Sequence, residues 1–191
     1  MKKVRRILLA AAVLSVLLSG CASQKNAAFT PAKSCVYVAQ DGSVSSALVK
    51  KYEGEAVDEK DLKQYLEAAV IRYNKENGGQ EKAENSSDAS QKLPVALQSA
   101  DAKKGVLTAI FNYASVEDLV KFRQTIDNED MSNTITAIEV KKDAENYEAS
   151  IEGGGTVMFP GKIISVTDGA VKEDEYTVTL PNDGKSSVVF K

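Results

Sequence analysis

The stretch from Val36 to Val49 opens with apolar residues at alternate positions, the period-two pattern of a β-strand that buries one face. Asp41 and Gly42 interrupt the pattern near its middle. An Asp-Gly pair is typical of a two-residue hairpin turn, in which both positions need a positive φ. The pattern therefore predicts a β-hairpin over 36–49.

The next stretch changes to a helical period. Apolar residues recur at i, i+3, i+4, i+7, i+8 and i+11, namely Leu62, Tyr65, Leu66, Ala69, Val70 and Tyr73. These positions share one face of an α-helix, so we expect Tyr65 and Tyr73 to be buried in the core. Asp58 is placed to cap the helix, with Asp61 three residues on in a box-like arrangement, and residues 77–79 (Asn-Gly-Gly) end it.

A second hairpin and helix follow a polar, low-complexity segment, 80–91, which we expect to be an exposed loop or a disordered insertion. The runs 93–99 and 106–113 flank a predicted turn at 101–105. A Ser-x-x-Asp capping box at Ser115 begins the second helix. Its predicted inner face carries Leu119, Phe122, Arg123 and Ile126.

The last third of the chain is rich in predicted strands. They cover 134–140, 147–151, 156–159, 162–167, 175–180 and 187–190, with predicted turns at 168–169 (Asp-Gly) and 182–184 (Asn-Asp-Gly). The whole pattern predicts an α+β fold of antiparallel or mixed sheets with two packed helices. We expect a ββα-ββα region over 35–127 and a β-rich region over 128–191, either as one domain or as two.

The first twenty residues have the three parts of a secretory signal. Four positive charges precede an apolar core of twelve residues, Ile7 to Leu18, which is shorter than the roughly 20 residues that span a bilayer. The segment then reads Leu18-Ser19-Gly20-Cys21 and resembles the lipobox of bacterial lipoproteins. The resemblance implies cleavage after Gly20 and a diacylglyceryl group on Cys21. The alternative is an ordinary secretory signal in which Cys21 is incidental.

This interpretation predicts a signal peptide over 1–20, a small, polar tether over 21–34, and a lipid anchor on the extracytoplasmic face of the cell membrane. Two acyl chains on one cysteine hold a protein on a membrane durably, whereas one chain gives marginal binding. No other apolar run in the sequence approaches spanning length.

Charge argues against one class of partner. Cleavage would remove four of the 24 positive charges and none of the 27 negative ones, so the net charge changes from −3 to −7. Nucleic acids demand clustered lysine and arginine, and the lysine pairs of this chain are short. We therefore expect no nucleic-acid partner.

Cys35 is the second of only two cysteines, so lipid on Cys21 would leave it without a disulfide partner. It opens the predicted strand that continues through Val36. A reactive thiol needs a nearby cation or base, and the chain contains no histidine. We interpret Cys35 as a small apolar strand residue; a redox or nucleophilic thiol is the alternative.

The absence of histidine removes Ser-His and Cys-His nucleophiles and histidine-bound zinc. A Ser-Lys pair remains open, although Lys92 follows Ser90 at the second position instead of the third. A two-carboxylate glycosidase needs no histidine. Its candidate carboxyls are Asp58, Glu59, Asp61, Glu117, Asp118 and residues 173–175. Capping and the helix dipole explain those at helix starts.

Two further motifs resemble parts of known ligand sites. The glycines 153–155 are not followed by the Gly-Lys-Ser/Thr of a phosphate loop, which favours a flexible hinge between strands. The run from Asp127 to Asp130 is the best calcium candidate. Met131 stands where a third ligand is needed, which favours a polar connection. We expect neither a metal nor a cofactor.

Two segments carry a further resemblance. Residues 36–42 (Val-Tyr-Val-Ala-Gln-Asp-Gly) and 159–166 (Phe-Pro-Gly-Lys-Ile-Ile-Ser-Val) are similar to an uncharacterised group of lipoproteins from gut Clostridia. The resemblance spans the mature chain and implies a Gram-positive cell surface. It implies no activity and no catalytic residues.

These observations favour a non-catalytic surface module that binds an envelope protein or a cell-wall component. A small-molecule binding accessory is the first alternative, and a pocket lined by tyrosines would favour it. A carboxylate-based hydrolase is the second, and it would need two carboxyl groups about 5 to 9 Å apart in a cleft.

Overall fold

The computed structural model describes residue 29 and the ranges 31–53, 57–86, 92–125 and 133–191. Its elements are β1 (Cys35–Val38), β2 (Val44–Lys51), α1 (Glu59–Gly78), β3 (Val95–Lys103), β4 (Val106–Tyr113), α2 (Val116–Thr125), β5 (Ala137–Asp143), β6 (Asn146–Glu152), β7 (Gly155–Met158), β8 (Ile163–Val166), β9 (Val171–Lys172), β10 (Thr177–Leu180) and β11 (Lys185–Phe190). The predicted α+β class and the order ββα-ββα followed by strands are confirmed.

The strands form two sheets. The larger has seven strands in the order β3-β4-β2-β1-β7-β10-β9, and the smaller has four in the order β5-β6-β11-β8. β1 pairs with β7 in parallel, whereas the other strand pairs of the two sheets are antiparallel. Both predicted hairpins therefore lie in one sheet, and three strands from the C-terminal third complete it.

The first hairpin forms as predicted, but its turn is of another type. Gly42 has a φ of +80°, whereas Asp41 is not among the residues with positive φ. The N–H of Ala39 donates to the carbonyl of Ser43 at 2.9 Å, which closes a loop of three residues. The Asp41 carboxylate accepts a hydrogen bond from the Ser43 N–H at 2.9 Å. Asp41 therefore supports the turn through its side chain and not through a positive φ of its own.

The second hairpin is longer than predicted, because β3 runs on to Lys103. A register shift between Leu97 and Ser99 marks a β-bulge. The connection is a two-residue turn at Lys104 and Gly105, with φ of +53° and +76°. The two positive φ values expected at the first hairpin thus occur here.

The predicted cap of α1 is confirmed. The Asp58 carboxylate accepts hydrogen bonds from the N–H groups of Lys60 and Asp61 at 2.8 and 3.1 Å. The helix runs through Gly78, and Gly79 ends it with a φ of +66°. A glycine meets this left-handed conformation without steric cost.

The expected burial of the two helix tyrosines is half correct. Tyr73 is 2% exposed, whereas Tyr65 is 68% exposed, so the core position expected for Tyr65 is wrong. The buried arc of α1 contains Leu66, Val70 and Tyr73. Tyr65 precedes Leu66 by one residue, which is about 100° around a helix, so it falls outside that arc.

The capping box of α2 is also confirmed. The Asp118 N–H donates to the Ser115 hydroxyl at 3.1 Å, and that hydroxyl donates to the Asp118 carboxylate at 2.6 Å. Leu119 and Phe122, two residues of the predicted inner face, are fully buried. Arg123 is half-buried, and Ile126 lies outside the described residues.

The polar segment after α1 is not an exposed loop throughout. Ala83 is buried, and its carbonyl accepts a hydrogen bond from the Leu97 N–H at 2.7 Å. The start of this segment therefore packs along the outer edge of β3. Residues 87–91 lie outside the described part of the chain.

One continuous cluster of buried residues joins the helices to both sheets. It includes Val36 and Phe122 from the ββα-ββα region, and Ile135, Ile151 and Phe190 from the β-rich region. Segments on both sides of residue 128 thus share a single hydrophobic core.

Candidate functional site

The seven-stranded sheet has a second face, away from the main core. On it, Cys35, Ala47 and Ile110 form a separate small cluster of buried residues. They are cross-strand neighbours, because Cys35 pairs with Ala47 and Ala47 pairs with Ile110. Successive strand residues point to opposite faces, so Tyr37 and Val49 belong to the same face. We call it the outer face.

The chain that precedes β1 lies against the outer face. We call Phe29 together with residues 31–34 the strap. Phe29 packs on the Cys35 cluster, and its ring centroid lies 5.0 Å from that of Tyr37 at an interplanar angle of 42°. The strap therefore covers part of a sheet face that the main core does not use.

Polar contacts hold the other end of the strap. The Ser34 hydroxyl donates to the carbonyl of Val49 at 3.2 Å and accepts from the Val49 N–H at 2.9 Å. Lys33 forms an ion pair with Glu173, which follows β9. Residues 31–34, the end of the predicted tether over 21–34, are thus docked on the domain.

A groove of about 460 Å³ runs between the strap and the outer face of the second hairpin. Its lining consists of Phe29, Pro31, Gln98, Ser99, Asp101, Lys103, Val106, Thr108 and Ile110. Asp101 and Lys103 are the charged residues of this lining, and they form an ion pair with each other. The volume falls within the range of about 300 to 1,000 Å³ that is usual for ligand sites.

A second pocket, of about 220 Å³, lies beside the β1–β2 turn. Its lining is mostly polar and includes Ser45, Asn85, Lys92 and Asn112. The Ser45 hydroxyl donates to the Asn112 side-chain oxygen at 2.7 Å, and the Asn85 side-chain oxygen accepts from the Leu93 N–H at 3.0 Å. Several polar groups that line this pocket are therefore already hydrogen-bonded within the chain.

Cys35 lies under the strap and is 6% exposed. Burial raises the pKa of its thiol to about 12, against a smaller lowering by the Lys33 ammonium. The thiol is therefore protonated at neutral pH, and a thiolate nucleophile is not formed there. This state fits a small apolar strand residue better than a reactive cysteine.

The Tyr37 hydroxyl is buried and has no hydrogen-bond partner in the described part of the chain. Burial raises the pKa of the phenol, and the nearby Asp41 carboxylate raises it further. A buried hydroxyl without a partner costs about 1 to 3 kcal/mol. This residue was missed by sequence reasoning, since nothing in the pattern distinguishes Tyr37 from any other strand tyrosine.

The tyrosines do not converge on one pocket. Tyr73 and Tyr113 belong to the main core, where their hydroxyls contact Asp118 and Ser46 at 3.1 and 2.7 Å. Tyr176, which immediately precedes β10, is 45% exposed. The groove beside the strap is lined by a phenylalanine and by no tyrosine.

Most of the candidate carboxyls are caps or ion-pair partners. Glu117 pairs with Lys121, and Glu175 with Lys162. The pKa values of Glu117, Glu173 and Glu175 are all lowered, first by hydrogen bonds from lysine side chains. A glycosidase acid needs a raised pKa, so these described carboxyls give the hydrolase hypothesis no support.

The glycines 153–155 do not form a phosphate loop. Strand β7 begins at Gly155, where a phosphate loop would start a helix. A Cβ at Gly153 would overlap the carbonyl of Thr134, and one at Gly154 would overlap the carbonyl of Pro181. Gly153 and Gly154 are therefore required for close backbone packing, and the flexibility expected of this link between strands stays a prediction.

Several predicted residues lie outside the described ranges. They are Gly20, Cys21, Ser90 and the calcium candidate 127–130. Within the described ranges, no three histidine, cysteine or acidic side chains come together to hold a metal ion. The helices of those ranges are too short or too polar to cross a membrane.

No protein-family model matches the sequence, and no curated protein matches it significantly. Among solved structures, the chain is similar to the NMR structure of the folded domain of LppM from Mycobacterium tuberculosis. The identity is 11% and the TM-score 0.36, over 83% of this chain and 87% of that one. A TM-score this low does not establish a common fold, and it carries no conclusion about the role of this chain.

Proposed function

We propose that this chain is a lipoprotein, anchored through a diacylglyceryl group on Cys21 to the extracytoplasmic face of the cell membrane. The observation that carries the proposal is the tetrad Leu18-Ser19-Gly20-Cys21, which follows a charged start and a short apolar core. The resemblance to Clostridia lipoproteins favours a Gram-positive surface for this anchor.

The strap adds a geometric consequence. Seven residues, 22–28, lie between Cys21 and Phe29, and the eight residue steps from one to the other reach at most about 28 Å when fully extended. The anchor would therefore keep Phe29, and the outer face on which it packs, within about that distance of Cys21.

Metabolic labelling with a palmitate analogue tests the anchor. We expect the wild-type chain to incorporate label and to fractionate with membranes, and the Cys21→Ser variant to lose both properties, because the serine hydroxyl replaces the sulfur that accepts the lipid. Cys35→Ser is the matched control and keeps the label. Label retained by Cys21→Ser, or lost by Cys35→Ser, would contradict the proposal.

We further propose that the anchored domain is a non-catalytic module that binds an envelope protein or a cell-wall component. The support is chemical. The sequence lacks histidine, and the thiol of Cys35 is protonated at neutral pH. The pKa values of the candidate carboxyls Glu117, Glu173 and Glu175 are lowered, not raised. The outer face is the sheet face on which the groove opens, so we place the binding there.

Site-specific photocrosslinking on intact cells tests this placement. A photoreactive residue at Thr108, in the groove lining, is expected to give a discrete adduct with an envelope component. The same residue at Tyr65, which is exposed on α1, is the control and is expected to give none. Identical adducts from both positions, or none from Thr108, would count against binding at the outer face.

The groove also favours a second candidate, a small-molecule binding accessory. Thermal unfolding with muropeptides, oligosaccharides, divalent metals and small metabolites tests it. A ligand at a hundred times its Kd adds about 2.7 kcal/mol, which raises the midpoint of a domain of this size by roughly 5 to 10 °C. Thr108→Phe, which narrows the groove, is expected to abolish such a shift. An unchanged shift in that variant would place the ligand elsewhere.

A further inference from the structure

We propose that the strap opens as a local unit: Phe29 and residues 31–34 lift from the outer face while the sheet beneath stays folded, which exposes Cys35 and Tyr37. The opening is a property of the domain itself and does not require the lipid. One consequence rests on the proposed anchor, because tension on Cys21 would reach the strap before any other described part of the chain.

The first observation is how the strap is held. The ion pair between Lys33 and Glu173 is exposed, with half of the lysine side chain accessible to water. Such pairs contribute little to stability. Ser34 supplies side-chain hydrogen bonds to Val49, and no backbone–backbone bond joins the strap to the sheet within the described ranges. The Phe29 ring adds the aromatic contact that packs the strap on the outer face.

The second observation is independent and concerns what the strap covers. The Tyr37 ring lies against the Phe29 ring, and its hydroxyl is buried without a partner among the described residues. The contact with Phe29 places the strap against the ring that carries this hydroxyl, so opening of the strap is expected to let water reach the hydroxyl and hydrogen-bond to it. Contact with Phe29 thus favours the closed strap, whereas the Tyr37 hydroxyl favours the open one.

Cys35 provides a direct readout of opening. In the closed state it is 6% exposed, and its thiol pKa is about 12. Opening removes the desolvation that causes most of this shift, so the thiolate fraction at pH 8 rises. In the full chain carrying Cys21→Ser, Cys35 is the single cysteine, and this chain bears no lipid. The result is therefore independent of whether the wild-type chain is anchored.

The experiment measures the rate of Cys35 labelling by a disulfide reagent at pH 8 in the Cys21→Ser background. Phe29→Ala is expected to accelerate labelling roughly tenfold, since it removes the aromatic contact and its buried area. Tyr37→Phe is expected to slow labelling several-fold, because it removes the hydroxyl that favours opening. The control Lys141→Glu, on β5, is expected to leave labelling unchanged.

Urea below the unfolding transition separates local from global opening. A local opening exposes little surface, so labelling is expected to be nearly independent of dilute urea. A labelling rate that rises with the full slope of global unfolding would overturn the proposal, because Cys35 would then be reached only in the unfolded chain. Faster labelling of Tyr37→Phe would overturn the assigned role of the hydroxyl.

Discussion

Replacing Phe122 with alanine is expected to destabilise the domain by about 3 to 5 kcal/mol. The side chain is fully buried on α2, and its ring centroid lies 5.3 to 6.3 Å from those of Phe111, Tyr73 and Tyr113. These partners come from β4 and α1, so one ring joins three elements. Alanine would leave a cavity that three large aromatic rings cannot fill by small movements.

Urea unfolding followed by far-UV circular dichroism measures this loss. Tyr65→Ala is the matched control, because it removes another aromatic side chain that is 68% exposed, and a change below about 0.5 kcal/mol is expected. A loss for Phe122→Ala no greater than for the control would show that α2 does not pack as described.

The predictions that succeeded rest on local rules. A side chain that caps a helix acts within three residues of its own position, so Asp58 and Ser115 could be identified from sequence alone. Hairpin pairing is likewise local, which is why both hairpins were found. The strand β9 was missed because two residues, Val171 and Lys172, are too few to show a period.

What the sequence did not specify depends on packing between distant segments. The parallel pairing of β1 with β7 joins Val36 to Val157, more than a hundred residues apart, and no local pattern specifies it. The glycines 153–155 resemble a flexible hinge in sequence. Only the approach of Thr134 and Pro181 shows that their missing side chains make room for other backbone.

The candidate site likewise combines features that the sequence predicted with features that it did not. The sequence correctly placed Cys35 at the start of the first strand, where side chains alternate between the two faces of the sheet. The sequence before β1 is small and polar apart from Phe29, and it was interpreted as a free tether. Nothing in it indicated that Phe29 would return to cover Tyr37, since that contact depends on the shape of the assembled sheet.

Asn74 is a buried polar residue of α1 that sequence reasoning overlooked. It lies on the buried arc of α1 and is fully buried. Its amide nitrogen donates to the carbonyls of Lys82 and Val95 at 2.8 and 2.7 Å, and its oxygen accepts from the Val95 N–H at 3.0 Å. The side chain thus supplies hydrogen-bond partners to the backbone of Val95 on the outer edge of β3, where a further strand would otherwise pair.

Asn74→Ala is therefore expected to destabilise the domain by at least about 3 kcal/mol, because three backbone groups lose their partner at once. Asn77→Ala is the matched control on the same helix: its amide donates once, to the Tyr73 carbonyl at 2.9 Å, and a loss below about 1 kcal/mol is expected. Urea unfolding gives both values.

Amide hydrogen exchange distinguishes this role from simple packing. In Asn74→Ala, the protection of the N–H groups of Val95 and Leu97 should fall more than that of Phe111 on the neighbouring strand, because the edge of β3 opens before the sheet unfolds. A uniform fall across the sheet would mean that Asn74 only fills space. A local fall would show that one side chain of α1 protects the sheet edge that the fold leaves without a partner strand.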